Sequence, residues 1–111
     1  MQREDRVYLE HMLDAAVRAH AKVACRTEEA WEADEDVRLA VTHLVQTLGE
    51  AARKVSDEGR SRHPEIPWRE AIGMRNVIVH DYLGVDDRIV LTVALRDLPG
   101  LIEALRRILG A

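Results

Sequence analysis

Pro67-Trp68-Arg69-Glu70-Ala71-Ile72-Gly73-Met74-Arg75-Asn76-Val77-Ile78-Val79 reads as a helix that is apolar nearly all the way round. At about 100° per residue, Trp68, Ala71, Ile72 and Val79 fall on the same side as Arg75, while Met74, Val77 and Ile78 cover the opposite side. A helix with two apolar sides needs cover on both, which predicts a course through the middle of a bundle. Pro64 and Pro67 forbid helix between them, and Pro67 suits the first helical position because its missing N–H would be unpaired there anyway. Arg75 is then an occluded cation that requires an anion, a carboxylate or a ligand. Glu50 is the expected resting partner.

Working outward, Leu9, Met12, Leu13, Ala16, Val17, Val23 and Ala24 recur at helical spacing and predict one amphipathic helix from about residue 3 to 25. An acidic turn follows, with Glu28, Glu29, Glu32, Asp34, Glu35 and Asp36 and no base between 27 and 36. Asp34 is a candidate N-cap for a second helix reaching about Ser56, whose stripe is Val37, Val41, Leu44, Val45, Leu48, Ala52 and Val55. Gly59 is expected to stop it and Gly84 to break the Pro67 helix. Asp86 or Asp87 caps a further helix from about Ile89 to Asp97, and Pro99 restarts the chain for a last segment carrying Leu101, Ile102, Leu105, Ile108 and Leu109. Val90, Leu91 and Val93 are compatible with a strand, yet no second run exists to pair with them. The fold class is therefore all-α, an antiparallel bundle of four to five helices in a single domain over 1–111.

At 111 residues the chain supports one modest core. Cys25 is the sole cysteine and the five histidines fall at no metal-ligand spacing, so neither a disulfide framework nor a metal or other cofactor is expected. The Met-Gln-Arg-Glu-Asp-Arg start lacks an apolar core behind it and no stretch approaches the roughly 18 apolar residues of a membrane span, which predicts a cytoplasmic protein with no membrane partner. A net charge of −4 argues against a general nucleic-acid coat. The cations are uneven, however: Arg60, Arg62, His63, Arg69, Arg75 and His80 gather in the second half, where a phosphate-seeking site could lie.

Arg75-Asn76-Val77-Ile78-Val79-His80-Asp81-Tyr82 sets a fixed cation, an imidazole that titrates near neutrality and a phenol within eight residues. A guanidinium can clamp phosphate in two-pronged fashion and an imidazole can give and take protons, so the combination suits phosphodiester chemistry. Seven residues bring Tyr82 to within roughly 20° of Arg75, whereas His80 lies about 140° away around an unbroken helix. Arg75 and His80 meet one phosphate only if the helix ends near His80 or a second copy contributes. From the residues alone, a solvated or paired arginine, a structural histidine and a packing tyrosine stay open.

The order Arg, four residues, His, one residue, Tyr resembles the signature of the HepT-like toxins of the HEPN superfamily. The neighbouring words match too: His63-Pro64-Glu65-Ile66-Pro67-Trp68-Arg69-Glu70, Ile72-Gly73-Met74-Arg75-Asn76, Leu83-Gly84-Val85-Asp86, the upstream Leu48-Gly49-Glu50-Ala51-Ala52, and the late Asp97-Leu98-Pro99. That resemblance implies a helical homodimer whose two signatures face one another across a cleft, acting as a metal-independent endoribonuclease on RNA. It makes Arg75 and His80 catalytic and Tyr82 the acceptor of AMP from a nucleotidyltransferase antitoxin of the MNT type. Asn76 and Asp81 could orient the phosphate and the imidazole, and Glu50 could support Arg75; helix surface is the alternative for all three. The rival readings are a non-catalytic dimer module that binds nucleotide or antitoxin through Arg75 and Tyr82, and a purely structural helical dimer.

Overall fold

A computed structural model of the chain describes residues 2–79 and 87–110. Every element in it is helical: α1 (Arg3–Val23), α2 (Glu28–Ala33), α3 (Glu35–Lys54), α4 (Asp57–Arg62), α5 (Trp68–Val79), α6 (Asp87–Thr92) and, after a π-helical turn at Val93–Asp97, α7 (Leu98–Leu109). The all-α bundle follows from local pattern. Asp34 Oδ1 accepts the Val37 N–H at 3.1 Å and starts α3, as its position predicts.

The central helix is α3 and not α5: it packs against α1 on one side and α5 on the other, and α1 in turn packs on α7. Leu9, Met12, Ala16, Val41, Leu48, Ala52, Leu98 and Leu105 interlock in this layer, each at most 1 % exposed. On the second apolar side of α5, Met74 is partly buried and packs against the core. It borders a groove of about 490 Å³ shared with Leu101 and Ala104 of α7. Helix α1 runs antiparallel to α3 and to α7, as shown by Asp5 against Ser56 at one end and by Arg6 Nη2 donating to Leu109 O at 3.1 Å.

Three local expectations need correction. The acidic segment is no open turn, because Thr27 Oγ1 caps a short helix at the Ala30 N–H and Trp31, 1 % exposed, anchors it to the core. Glu28 and Glu29 sit in its first turn, where the helix dipole favours negative charge. Gly59 does not stop α3, which ends at Lys54; it lies inside α4, 57–62. Ser56 Oγ accepts the Gly59 N–H at 3.0 Å and donates to Asp5 Oδ2 at 2.6 Å, while the Ser56 N–H donates to Asp5 Oδ1 at 2.8 Å. A Cβ on residue 59 would stand 2.5 Å from that carboxylate, so only glycine fits over it.

Pro99 does not restart the chain either. Having no N–H, it withdraws a donor from the preceding turn, and the helix carries on by widening: the Leu98 N–H reaches back five residues to Val93 O. Ala94 O thereby loses Leu98 as its helical donor and would meet only the donor-less Pro99 next. His20 Nδ1 of α1 supplies the bond instead, at 3.0 Å. The expected break at Gly84 and cap at Asp86 lie outside the described residues. Pro67 stands one residue before α5, its carbonyl accepting the Ala71 N–H at 2.9 Å.

Candidate functional site

Helices α3 and α5 cross at Gly49. A Cβ there would lie 2.9 Å from the Arg75 amide nitrogen and 3.0 Å from Ala71 O, so the absent side chain lets one backbone press against the other. The crossing fixes where Arg75 emerges, and the residue after the glycine, Glu50, is carried to the same spot.

Glu50 is the resting partner of Arg75, as the sequence predicts: Arg75 Nε lies 3.2 Å from Glu50 Oε2, with each side chain 37 % exposed. The other carboxylate oxygen, Oε1, accepts from Arg53 Nη2 at 2.6 Å. Glu50 therefore bridges two guanidiniums. The Arg53 hydrogen bond holds its carboxyl below the ordinary carboxylate range, against an opposing push from partial burial, and the charges of Arg53, Arg75 and Lys54 pull the same way as the bond. Arg53 is raised in return, chiefly by that hydrogen bond. The shorter contact is to Arg53, so Glu50 is anchored on its own helix and lends its second oxygen across the crossing.

The half-exposed setting separates this arginine from an ordinary buried ion pair. A phosphate can approach Arg75, take the place of Oε2 and leave Glu50 still paired with Arg53, so that no charge is stranded. The closest contact is made through Nε, whereas two-pronged recognition of phosphate uses parallel N–H groups.

Other sequence expectations divide. Arg60, Arg62 and His63 do not converge on Arg75: Arg60 pairs with Asp57 and donates through Nε to Val55 O, Arg62 pairs with Glu58, and His63 with Glu65. The cations that do surround Glu50 come from α3, Arg53 and Lys54, one helical turn beyond it. Their spacing of three and four residues from Glu50 was the available signal. Asn76 follows Arg75 on α5. Its side chain, with His80, Asp81 and Tyr82, lies outside the described residues.

A family model described as "Ribonuclease HepT-like" matches residues 12–108. A protein of Caldanaerobacter subterraneus subsp. tengcongensis named as a candidate RNase is 32 % identical over 104 residues, covering 94 % of this chain and 93 % of its own. One of Thermococcus cleftensis named "Probable ribonuclease HepT" is 32 % identical over 103 residues, covering 91 % and 92 %. No solved structure matches. With the family model matching residues 12–108 and relatives matched over nearly their whole length, the chain belongs to the HepT-like ribonuclease family of the HEPN superfamily.

Proposed function

We propose that this chain is the toxin of a toxin–antitoxin pair and acts as a metal-independent endoribonuclease. The observation that carries the reading is Arg75, held at the α3–α5 crossing by a carboxylate that has a second guanidinium to fall back on. A cation so held can be given up to a phosphate. His80 takes the proton of an RNA 2′-hydroxyl, and the freed oxygen attacks the adjacent phosphorus. Arg75 stabilises the charge that builds on the phosphorane oxygens. The bond to the 5′-oxygen breaks, that oxygen takes up a proton from water, His80 gives its proton back to solvent, and a 2′,3′-cyclic phosphate remains. Proton transfer of this kind contributes about 10² to 10⁴ in rate.

Two copies would complete the site: on an unbroken helix Arg75 and His80 would stand about 140° apart, and from opposite subunits across a two-fold axis they can reach one phosphate. At ideal helical spacing Tyr82 would share the Arg75 face, and it is the acceptor of AMP from a nucleotidyltransferase antitoxin. The added anionic nucleotide neutralises Arg75 and fills the cleft. Asn76 and Asp81 orient the phosphate and the imidazole. The protein works in the cytoplasm without a cofactor; among the described residues no helix is long and apolar enough to cross a membrane.

The test is cleavage of RNA in EDTA by the wild type and by His80→Ala. Cyclic phosphate ends from the wild type and none from a folded His80→Ala are expected, and full cleavage by His80→Ala removes the base. Co-expression with a neighbouring nucleotidyltransferase should add AMP mass to the Tyr82 peptide; AMP elsewhere makes Tyr82 a packing residue.

A further inference from the structure

Between α1 and α3 runs an open groove of about 410 Å³. Its chemistry is that of a phosphate track: Arg18, Lys22, His11, His43 and Thr47 line it, with Asp14 the opposing carboxylate. The chain as a whole is acidic, with a net charge of −4, so a groove lined by two permanent cations against one carboxylate departs from its surroundings. Asp14 is no lasting occupant. Its contact to Arg18 Nη1 is 3.5 Å, both side chains are more than half exposed, and exposed pairs of this kind contribute little.

Side-chain contacts link the groove to the Arg75 cluster. Lys54, whose charge acts on Glu50, lies over the Tyr8 ring at 5.8 Å, and Tyr8 meets His11 edge-on with ring centroids 6.3 Å apart. His11 lines the groove. On α3 the positions 43, 47, 50 and 54 fall on one stripe, and His43 precedes Glu50 by seven residues, roughly 10 Å along the axis. A series of polar and aromatic side chains thus leads from His11 in the groove by way of Tyr8 and Lys54 toward Glu50, the partner of Arg75. Single strands bind through such combinations of backbone-tracking cations and aromatic faces on which bases stack.

We propose that the α1–α3 groove is a second binding site for the RNA strand, in which Arg18 and Lys22 take backbone phosphates flanking the one cut at Arg75. It rests on the ribonuclease reading for its substrate, yet it concerns binding and not the chemical step. The groove supplies affinity and register; Arg18 and Lys22 touch no reacting atom.

A fluorescent 2′-O-methyl oligoribonucleotide, which has no 2′-hydroxyl nucleophile, measures binding without cleavage. The Arg18→Gln/Lys22→Gln protein should bind it about tenfold more weakly at low salt. Two lost phosphate contacts reduce the slope of log K against log salt by about 1.4. Asp14→Asn should bind more tightly than wild type, a gain that misfolding cannot produce. With ordinary RNA the double variant should show a raised KM and a kcat within about twofold of wild type, as expected for binding shared by ground and transition states. Unchanged affinity and salt slope in the double variant overturn the proposal, as does a fall in kcat with KM unchanged. A changed mass by light scattering also overturns it, marking the groove as an interface between copies. A wild type that binds the oligonucleotide through Arg18 and Lys22 but leaves RNA uncut removes the ribonuclease reading and supports the groove.

Discussion

Asp5 and Glu50 each tie two parts of the bundle together, and they do it in opposite ways. Asp5 is 3 % exposed and is held by an amide and a hydroxyl of Ser56, under a glycine that leaves no room for another atom. Glu50 is 37 % exposed and is held by two guanidiniums, one on its own helix and one across the crossing. Removing the Asp5 acceptor strands part-buried donors, so that junction is permanent. An arriving anion can replace Glu50 at Arg75 without stranding any group, so that junction is exchangeable. A carboxylate's burial and the kind of donor it meets thus separate a structural tie from a resting counter-charge.

The sharpest way to break the contrast is to remove one partner from each junction. Arg75→Ala should lower RNA cleavage by 10²-fold or more, the scale seen when one transition-state charge stabiliser is lost, while the helical signal and Tm stay near wild type. Asp5→Ala should do the reverse. Stranding the Ser56 donors costs about 2 to 3 kcal/mol, a drop in Tm of roughly 10 °C, with activity per folded molecule kept. If Arg75→Ala unfolds the chain, or Asp5→Ala leaves Tm in place, the two roles have been assigned the wrong way round.

Gly49→Ala sharpens the comparison by touching both properties at once. Its methyl group would meet backbone atoms of α5 at 2.9 and 3.0 Å, and backbone cannot swing aside like the end of a side chain. A loss of about 1 to 3 kcal/mol is expected, together with reduced cleavage as Arg75 is pushed off its station. A stable and fully active Gly49→Ala would show that the tight crossing does not set the position of Arg75.

The smallest effect belongs to Glu50→Gln. An exposed carboxylate paired with arginines contributes little stability, so Tm should hardly move, while binding of a 2′-O-methyl oligonucleotide should tighten once the competing charge is gone. The pH dependence has a definite sign. Because Arg53 holds the Glu50 carboxyl below its ordinary value, its contribution is in place above the usual carboxylate pKa of about 4.3 and is lost only as pH falls through the lowered folded value. Wild type and Glu50→Gln should differ least at the acid end of a melting series. Weaker oligonucleotide binding by Glu50→Gln would mean that the carboxylate orients Arg75 for phosphate and does not compete with it.

How much of this could be read from residues alone varies from place to place. The span of α1, the start of α3 at Asp34 and the amphipathic α7 were legible because helices are local: spacing, capping and propensity act within a few residues. The pairing of Glu50 with Arg75 was also legible, since an arginine among apolar residues demands a counter-charge and a resembling family keeps a Gly-Glu word upstream. Trp31 was missed, although a tryptophan set among acids is a signal that such a segment reaches the core.

The remainder depended on atoms far apart in the chain. That Gly59 is roofed by Asp5, that Gly49 admits the α5 backbone, and that His20 repairs the carbonyl left over by Pro99 are contacts across 54, about 26 and 74 residues. No local pattern encodes them. The sequence by itself determined which segments coil and which faces are apolar, because those follow from backbone geometry and side-chain transfer. Only the tertiary structure decided that α3 and not α5 is central, and that Arg53 and Lys54 gather at Arg75 while Arg60, Arg62 and His63 turn to neighbours of their own. Both outcomes are set by where helices cross, and a crossing is chosen by close packing between surfaces that sequence distance does not order.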